Sequence, residues 1–219
     1  MSGILPAFMN MRSFIPPLPT TIGQVYGGGF YAGQISTTAN GVATHYLIVA
    51  PAASGQDLSA QWKTTNSSTS GTSSVIDGPA NSAAMNTASH PAAYFCEGLT
   101  IGGYSDWYMP SKNELETLYY FLKPTTQTNQ TSSGSTANAV SPQPISTNHT
   151  SGNPSQTSAT IFRVGNAEEM VAAGGDWWSS TQYSASAAWN QKMGSGGQYT
   201  GNNVKTALGK VRGIRRIPV

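Results

Sequence analysis

The chain has 219 residues, of which 38% are hydrophobic and only 9% charged, with 11 basic against 9 acidic side chains and a net charge of +2. That length suits one large or two small domains, and the absence of a basic stripe along a face or helix excludes a phosphate-tracking, nucleic-acid-binding surface. The single cysteine, Cys96, excludes an intrachain disulfide and a cysteine-based zinc site.

Residues 1–20, MSGILPAFMNMRSFIPPLPT, are apolar and hold four prolines, and their first positive charge, Arg12, follows the apolar stretch. A signal peptide has the opposite order. No run of about eighteen apolar residues exists to span a membrane, so membrane insertion is not expected. The segment reads as a retained extended arm, residues 1–22, made in the cytosol. It would dock on a partner through Ile4, Leu5, Phe8, Phe14 and Ile15. Residues 23–219 read as one domain.

From Ile22 to Ile35, aromatic and β-branched residues alternate with glycine, which predicts a strand with close backbone approach. Gly27-Gly28-Gly29 is not followed by Lys-Ser/Thr or by a helical pattern, so it is no phosphate loop. Thr44–Ala50 reads as a buried strand ended by Pro51, with a hairpin turn at Asn40-Gly41 before it. Residues 64–74 read as a polar loop. A helix over Asn86–Leu99 places Ala92, Ala93, Phe95 and Cys96 against a core, with Pro91 suited to a first helical position. The segment Gly102–Pro110 then turns into a second helix. Ser111 and Glu114 form its capping box, Leu115, Leu118, Tyr119 and Leu122 share one face, and Pro124 stops it. Residues 125–160 are too polar to bury a core of their own and read as a long surface loop or a partly disordered one. Phe162–Val171 reads as a short strand or helix. Trp177–Ser180, Ala187–Met193, Val204 and Val211–Val219 read as strands. The fold class is α+β, with short antiparallel strands, two helices and long polar loops.

No catalytic pattern emerges. His45 lies in a strand pattern, His90 precedes a proline and His149 sits in the polar loop, with no H-E-x-x-H or G-x-S-x-G in the chain. Cys96 reads as a small buried residue, Asp106 as a turn acceptor, Glu114 as a cap and Glu168-Glu169 as a solvated helix end. No catalytic residue, metal or cofactor is expected. At strand spacing Arg212 and Arg216 share one face and Arg215 the other, and one of the three is expected to pair with Asp106 or Asp176. Residues 177–203 set Trp177, Trp178, Tyr183, Trp189 and Tyr199 among Ser, Ala, Gly, Gln and Asn. This is the composition of a paratope, with rigid aromatic anchors between adaptable polar groups.

Two segments carry a family likeness. One is Ala92–Cys96 with Gly102-Gly103-Tyr104-Ser105-Asp106-Trp107-Tyr108-Met109-Pro110-Ser111-Lys112-Asn113-Glu114-Leu115. The other is Trp178-Ser179-Ser180-Thr181-Gln182-Tyr183 with Val211-Arg212-Gly213-Ile214-Arg215. Across residues 43–219 they resemble a domain of unassigned function found at the C-terminus of bacterial collagen-like adhesins and in phage structural proteins. The resemblance implies a C-type-lectin-like fold, related to formylglycine-generating enzymes and to variable receptor-binding proteins of phages. The motif centres on Trp178, which implies Trp178 inward and, by strand alternation, Trp177 outward. The expected contact set is then Trp177, Tyr183, Trp189, Asn190, Gln191, Tyr199, Asn202 and Asn203.

The enzyme branch of that fold uses two active-site cysteines and this chain has one. The calcium-lectin motifs are incomplete at Gln143-Pro144-Ile145 and Trp189-Asn190-Gln191, so calcium is not implied. The resemblance points to a bacteriophage virion protein at a tail fibre or tip, binding a host-surface glycan or protein. It would join other virion proteins through residues 1–20 and form a homotrimer. The alternative is a head decoration or head-fibre protein attached by the same arm.

Overall fold

In the computed structural model, residues 17–173, 176–200 and 204–219 are described. The arm contacts expected at Ile4, Leu5, Phe8, Phe14 and Ile15 lie outside them, as do Asn202 and Asn203. The chain begins with β1 (Val25–Tyr26), β2 (Gly29–Ile35) and β3 (His45–Val49). A single helical turn, α1 (Ala52–Gly55), leads into β4 (Gln56–Gln61). Three helices follow: α2 (Gly78–Ala83), α3 (Pro91–Glu97) and α4 (Lys112–Leu122). After a short 3-10 turn (Thr160–Phe162) come β5 (Trp177–Gln182), β6 (Ala188–Gln191), β7 (Gln198–Tyr199), β8 (Leu208–Arg212) and β9 (Ile214–Pro218).

The molecule is thus mixed α+β, mostly strands with short helices. One sheet has the order β1-β2-β3-β9, and the other β4-β8-β5-β6-β7. All pairings are antiparallel except β5 with β8. The close approach predicted for the glycine-rich strand is real, since a Cβ on Gly29 would collide with the Val49 carbonyl across the hairpin. Only Gly213 separates β8 from β9, so the chain passes directly from one sheet to the other. The passage is pinned by hydrogen bonds from Ala50 N–H to the Gly213 carbonyl and from Gly213 N–H to the Gly55 carbonyl, both 2.9 Å.

The helices follow their sequence signals. Pro91 opens α3, which is shorter than predicted because Asn86–His90 stay outside it. Glu114 accepts the Ser111 backbone N–H at 2.8 Å, as a capping box requires. Leu115, Leu118, Tyr119 and Leu122 of α4 pack with Ile35, Leu47, Trp177 and Ile214 in one core cluster. Ala92, Ala93 and Cys96 of α3 pack with Trp62, Met109, Trp178 and Val211 in another. These two clusters lie on opposite faces of β5, which is central in its sheet. Trp178 is buried as expected. Trp177, expected outward, is 1% exposed, because alternation merely exchanges one covered face for another.

The long polar segment is a loop held by its own amides rather than by apolar burial. The Lys123 ammonium donates to the Gln127 carbonyl (2.5 Å) and to Asn129 Oδ1 (2.6 Å). The Asn129 amide donates in turn to the carbonyls of Thr150 (3.1 Å) and Pro154 (2.8 Å). Burying Lys123 and Asn129 is tolerated because they bond each other and the loop carbonyls.

All three C-terminal arginines are paired. Arg215 binds Asp106 through two bonds of 2.7 and 2.8 Å, as the sequence predicts. Arg216 binds Glu114 at 2.7 Å. Arg212 binds Glu168, which is therefore not a solvated helix end: a guanidinium buried at this depth requires a carboxylate beside it. Arg212 and Arg216 do not share a strand face as expected, since the crossing at Gly213 puts them in different sheets.

His90 gives the fold a pH dependence. Its ring nitrogens bond Thr69 Oγ1 (2.8 Å) and Thr87 Oγ1 (3.0 Å), and its ring packs edge-on to Trp62. Burial, with Lys63 and Lys205 nearby, pulls its pKa from 6.5 down to about 4. The unfolded chain therefore takes the proton first as pH falls, and stability is lost between about pH 6.5 and about pH 4. Melting curves across that window should show a steeper loss for the native chain than for His90→Gln. Parallel slopes would contradict this assignment.

Candidate functional site

β5 ends at Gln182 and the chain turns back into β6 through a tight loop, in which Tyr183 and Ser184 N–H groups both donate to the Ala187 carbonyl at 3.0 Å. Tyr183 stands on that turn, 58% exposed. Its ring meets Trp189 edge-on, with centroids 5.5 Å apart at 81°. Trp189 is half-buried, and the Lys112 ammonium lies over its ring, 4.8 Å from the centroid. Lys112 is the first residue of α4. Its N–H donates to Thr181 Oγ1 (3.0 Å) and its carbonyl accepts from Gln198 Nε2 (3.1 Å), so the helix start is tied to β5 and β7.

Beside Trp189 opens a cleft of about 250 Å³, lined by Lys112, Asn148, Gln198 and the hydroxyls of Ser132, Ser133 and Ser135. Beneath this region lies a buried polar lock. His149 Nε2 is 2.6 Å from Glu116 Oε1, and Gln191 Nε2 donates to Glu116 Oε2 at 2.6 Å. The His149 ring rests against Tyr119 at 5.2 Å between centroids. A Cβ on either Gly134 or Gly196 would collide with that ring. Burial pushes the Glu116 carboxyl upward, opposed by the His149 and Gln191 hydrogen bonds. The lock fastens the serine-bearing part of the long loop to α4 and so builds one wall of the cleft.

Of the residues singled out in the sequence, the structure brings Tyr183 and Trp189 together. It removes three from the surface. Trp177 is in the core. Asn190 is 2% exposed and faces the Trp178 side of the sheet, where it pairs across from Trp178, and its amide has no hydrogen-bond partner among the described residues. Gln191 is fully buried and spent on Glu116. Tyr199 is half-buried and sits opposite Asn190 in register, hence on the other face of the sheet from Trp189. Its ring carries the Lys192 ammonium at 5.1 Å instead. Lys112, Gln198, Asn148 and the serines were missed.

Neither protein-family models nor curated proteins match this chain. A wider cleft of about 560 Å³ lies between Gln127, Asp176 and Lys192, but among the described residues no aromatic side chain lines it. Among the described residues no three His, Cys, Asp or Glu side chains are grouped to hold a metal ion. No helix among them is long and apolar enough to cross a membrane. Cys96 is fully buried, and burial raises its thiol pKa well above the ordinary value. His45 bonds Thr44 Oγ1 at 2.9 Å.

Proposed function

We propose that this chain is a recognition protein of a bacteriophage particle, with a C-type-lectin-like domain that binds a host-surface glycan through the Tyr183–Trp189 edge and the cleft beside it. The observation that carries the reading is the contact of exposed Tyr183 with half-buried Trp189 next to a hydroxyl- and amide-lined cleft, on a protein with few charges. Sugars stack their apolar faces on aromatic rings and hydrogen-bond to such groups, and the same pairing of rigid aromatics with adaptable polar side chains serves paratopes. The lectin-like assignment is supported by the motif resemblance and by the way its two segments interlock through Asp106 and Arg215. A binding rather than a catalytic role is supported by the buried thiol and by histidines engaged in structural hydrogen bonds. Residues 1–20 join the domain to other virion proteins, and the assembly is a homotrimer.

The test is adsorption to host cells, or binding to a glycan array, by the native chain and by Tyr183→Ala and Trp189→Ala. Each substitution should cost about 1–3 kcal/mol of binding, as interface anchors do, and Tyr183→Ala should leave the melting temperature unchanged. Native-like adsorption by both variants would remove this edge from recognition. Mapping the intact particle distinguishes a tail location from a head decoration.

A further inference from the structure

The half-buried and buried cations of this domain are almost all engaged by protein oxygens. Lys63 donates to the Ser68 carbonyl (2.8 Å), Lys123 to Asn129, Lys205 to Gln182 (2.5 Å) and Lys210 to the Val171 carbonyl (3.2 Å). Arg163 donates to the Thr157 carbonyl (2.8 Å), and Arg212, Arg215 and Arg216 hold carboxylates. Lys112 is the exception. It is half-buried in the cleft wall, and among the described residues its ammonium makes no ion pair and no hydrogen bond, only the contact over Trp189.

No carboxylate lines that cleft. Glu116, one turn along α4, has both oxygens taken by His149 and Gln191 and is fully buried. Gln198 has its amide N–H groups on the Lys112 carbonyl and Gln191 Oε1, while Asn148 and the serine hydroxyls can donate hydrogen bonds to an anion. Burial lowers the Lys112 pKa and the nearby Glu116 carboxylate offsets this only in part, so the ammonium has given up solvation without a hydrogen-bonding partner to replace it.

Resting on the glycan reading above, we infer that the cleft takes a saccharide bearing an anionic group, with the sugar face on Trp189 and the carboxylate or phosphate at Lys112 Nζ. The ammonium lies over the indole, 4.8 Å from its centroid, so a sugar packed against Trp189 brings its charged substituent to Nζ. A partly desolvated cation gains more from such a partner than a fully hydrated one, because water competes less.

The probes are glucuronate, glucose 6-phosphate and glucose, titrated against the full chain by ligand-observed NMR. Glucuronate or glucose 6-phosphate should bind about tenfold more tightly than glucose, the increment of one hydrogen bond to a charged group. Lys112→Gln should abolish that preference and Lys112→Arg should keep it. Raising salt should reduce the preference. The relative strength of the two anionic probes assigns the group as carboxylate or phosphate. Equal binding of all three sugars, or a preference that survives in Lys112→Gln, overturns the anion assignment while leaving a neutral-glycan site intact. No binding of either anionic probe at tens of millimolar overturns it too, since even weak saccharide sites are occupied there. Cell adsorption by Trp189→Ala then decides the recognition reading separately.

Discussion

Trp177→Ala and Trp178→Ala are each expected to destabilise the fold by about 3–5 kcal/mol, the cost of emptying a large buried aromatic site. Both indoles are buried, and both N–H groups are satisfied: Trp177 donates to the Val171 carbonyl and Trp178 to the Ala60 carbonyl, each at 3.1 Å. Truncation of either would therefore leave a cavity in a packed core. Tyr183→Ala, on the turn at the end of the same strand, should cost less than about 0.5 kcal/mol. Denaturant unfolding of the three variants measures all three numbers. A tolerant Trp177→Ala would mean that the α4 face of the sheet is not a core.

Arg216→Met should cost about 3–5 kcal/mol, because it strands a buried carboxylate. Glu114 has no exposure. One of its oxygens accepts from Arg216 Nε at 2.7 Å and from the Tyr108 hydroxyl, the other from the Ser111 N–H (2.8 Å) and hydroxyl (2.7 Å). Burial beside that carboxylate pushes the Tyr108 phenol well above its usual range, so it stays a donor. Removing the guanidinium takes away the only cation paired with Glu114 among the described residues. The double variant Glu114→Gln/Arg216→Met, with no charge left to strand, should recover part of the loss. A thermodynamic cycle over the two sites reads the coupling directly, and strict additivity would show that the pair does not act as a unit.

How much of this was legible beforehand depends on the range of the interaction. The α4 helix, its cap and its apolar face rest on residues within a few positions of one another, and they appear where the pattern puts them. The pairing of Asp106 with Arg215 was also within reach, since a sparsely charged chain offers few partners. The binding face was harder. Alternation along β5 and β6 separates two faces but does not say whether either meets water, and here α4 covers one and α3 the other. Trp177, Asn190 and Gln191 were lost for that reason. The cleft was beyond reach altogether, because it depends on His149 finding Glu116 across 33 positions, most of them in a polar loop whose composition carries no periodicity.

The passage at Gly213 also constrains the order in which this chain can acquire its structure. Residues 208–218 contribute a strand to each sheet, with Val211 in one core cluster and Ile214 in the other. Their partners, β3, β4 and β5, lie up to more than 150 positions earlier. Chains emerge from the ribosome N-terminus first, at about 5–20 residues per second. For many seconds β3 and β4 are therefore made without the strands that complete their sheets. Closing such distant pairs is slow for any chain, and slowness of this kind exposes unpaired strand edges to other copies. Newly made protein should thus depend on chaperones for recovery from the expressing cell far more than the finished domain depends on them for persistence.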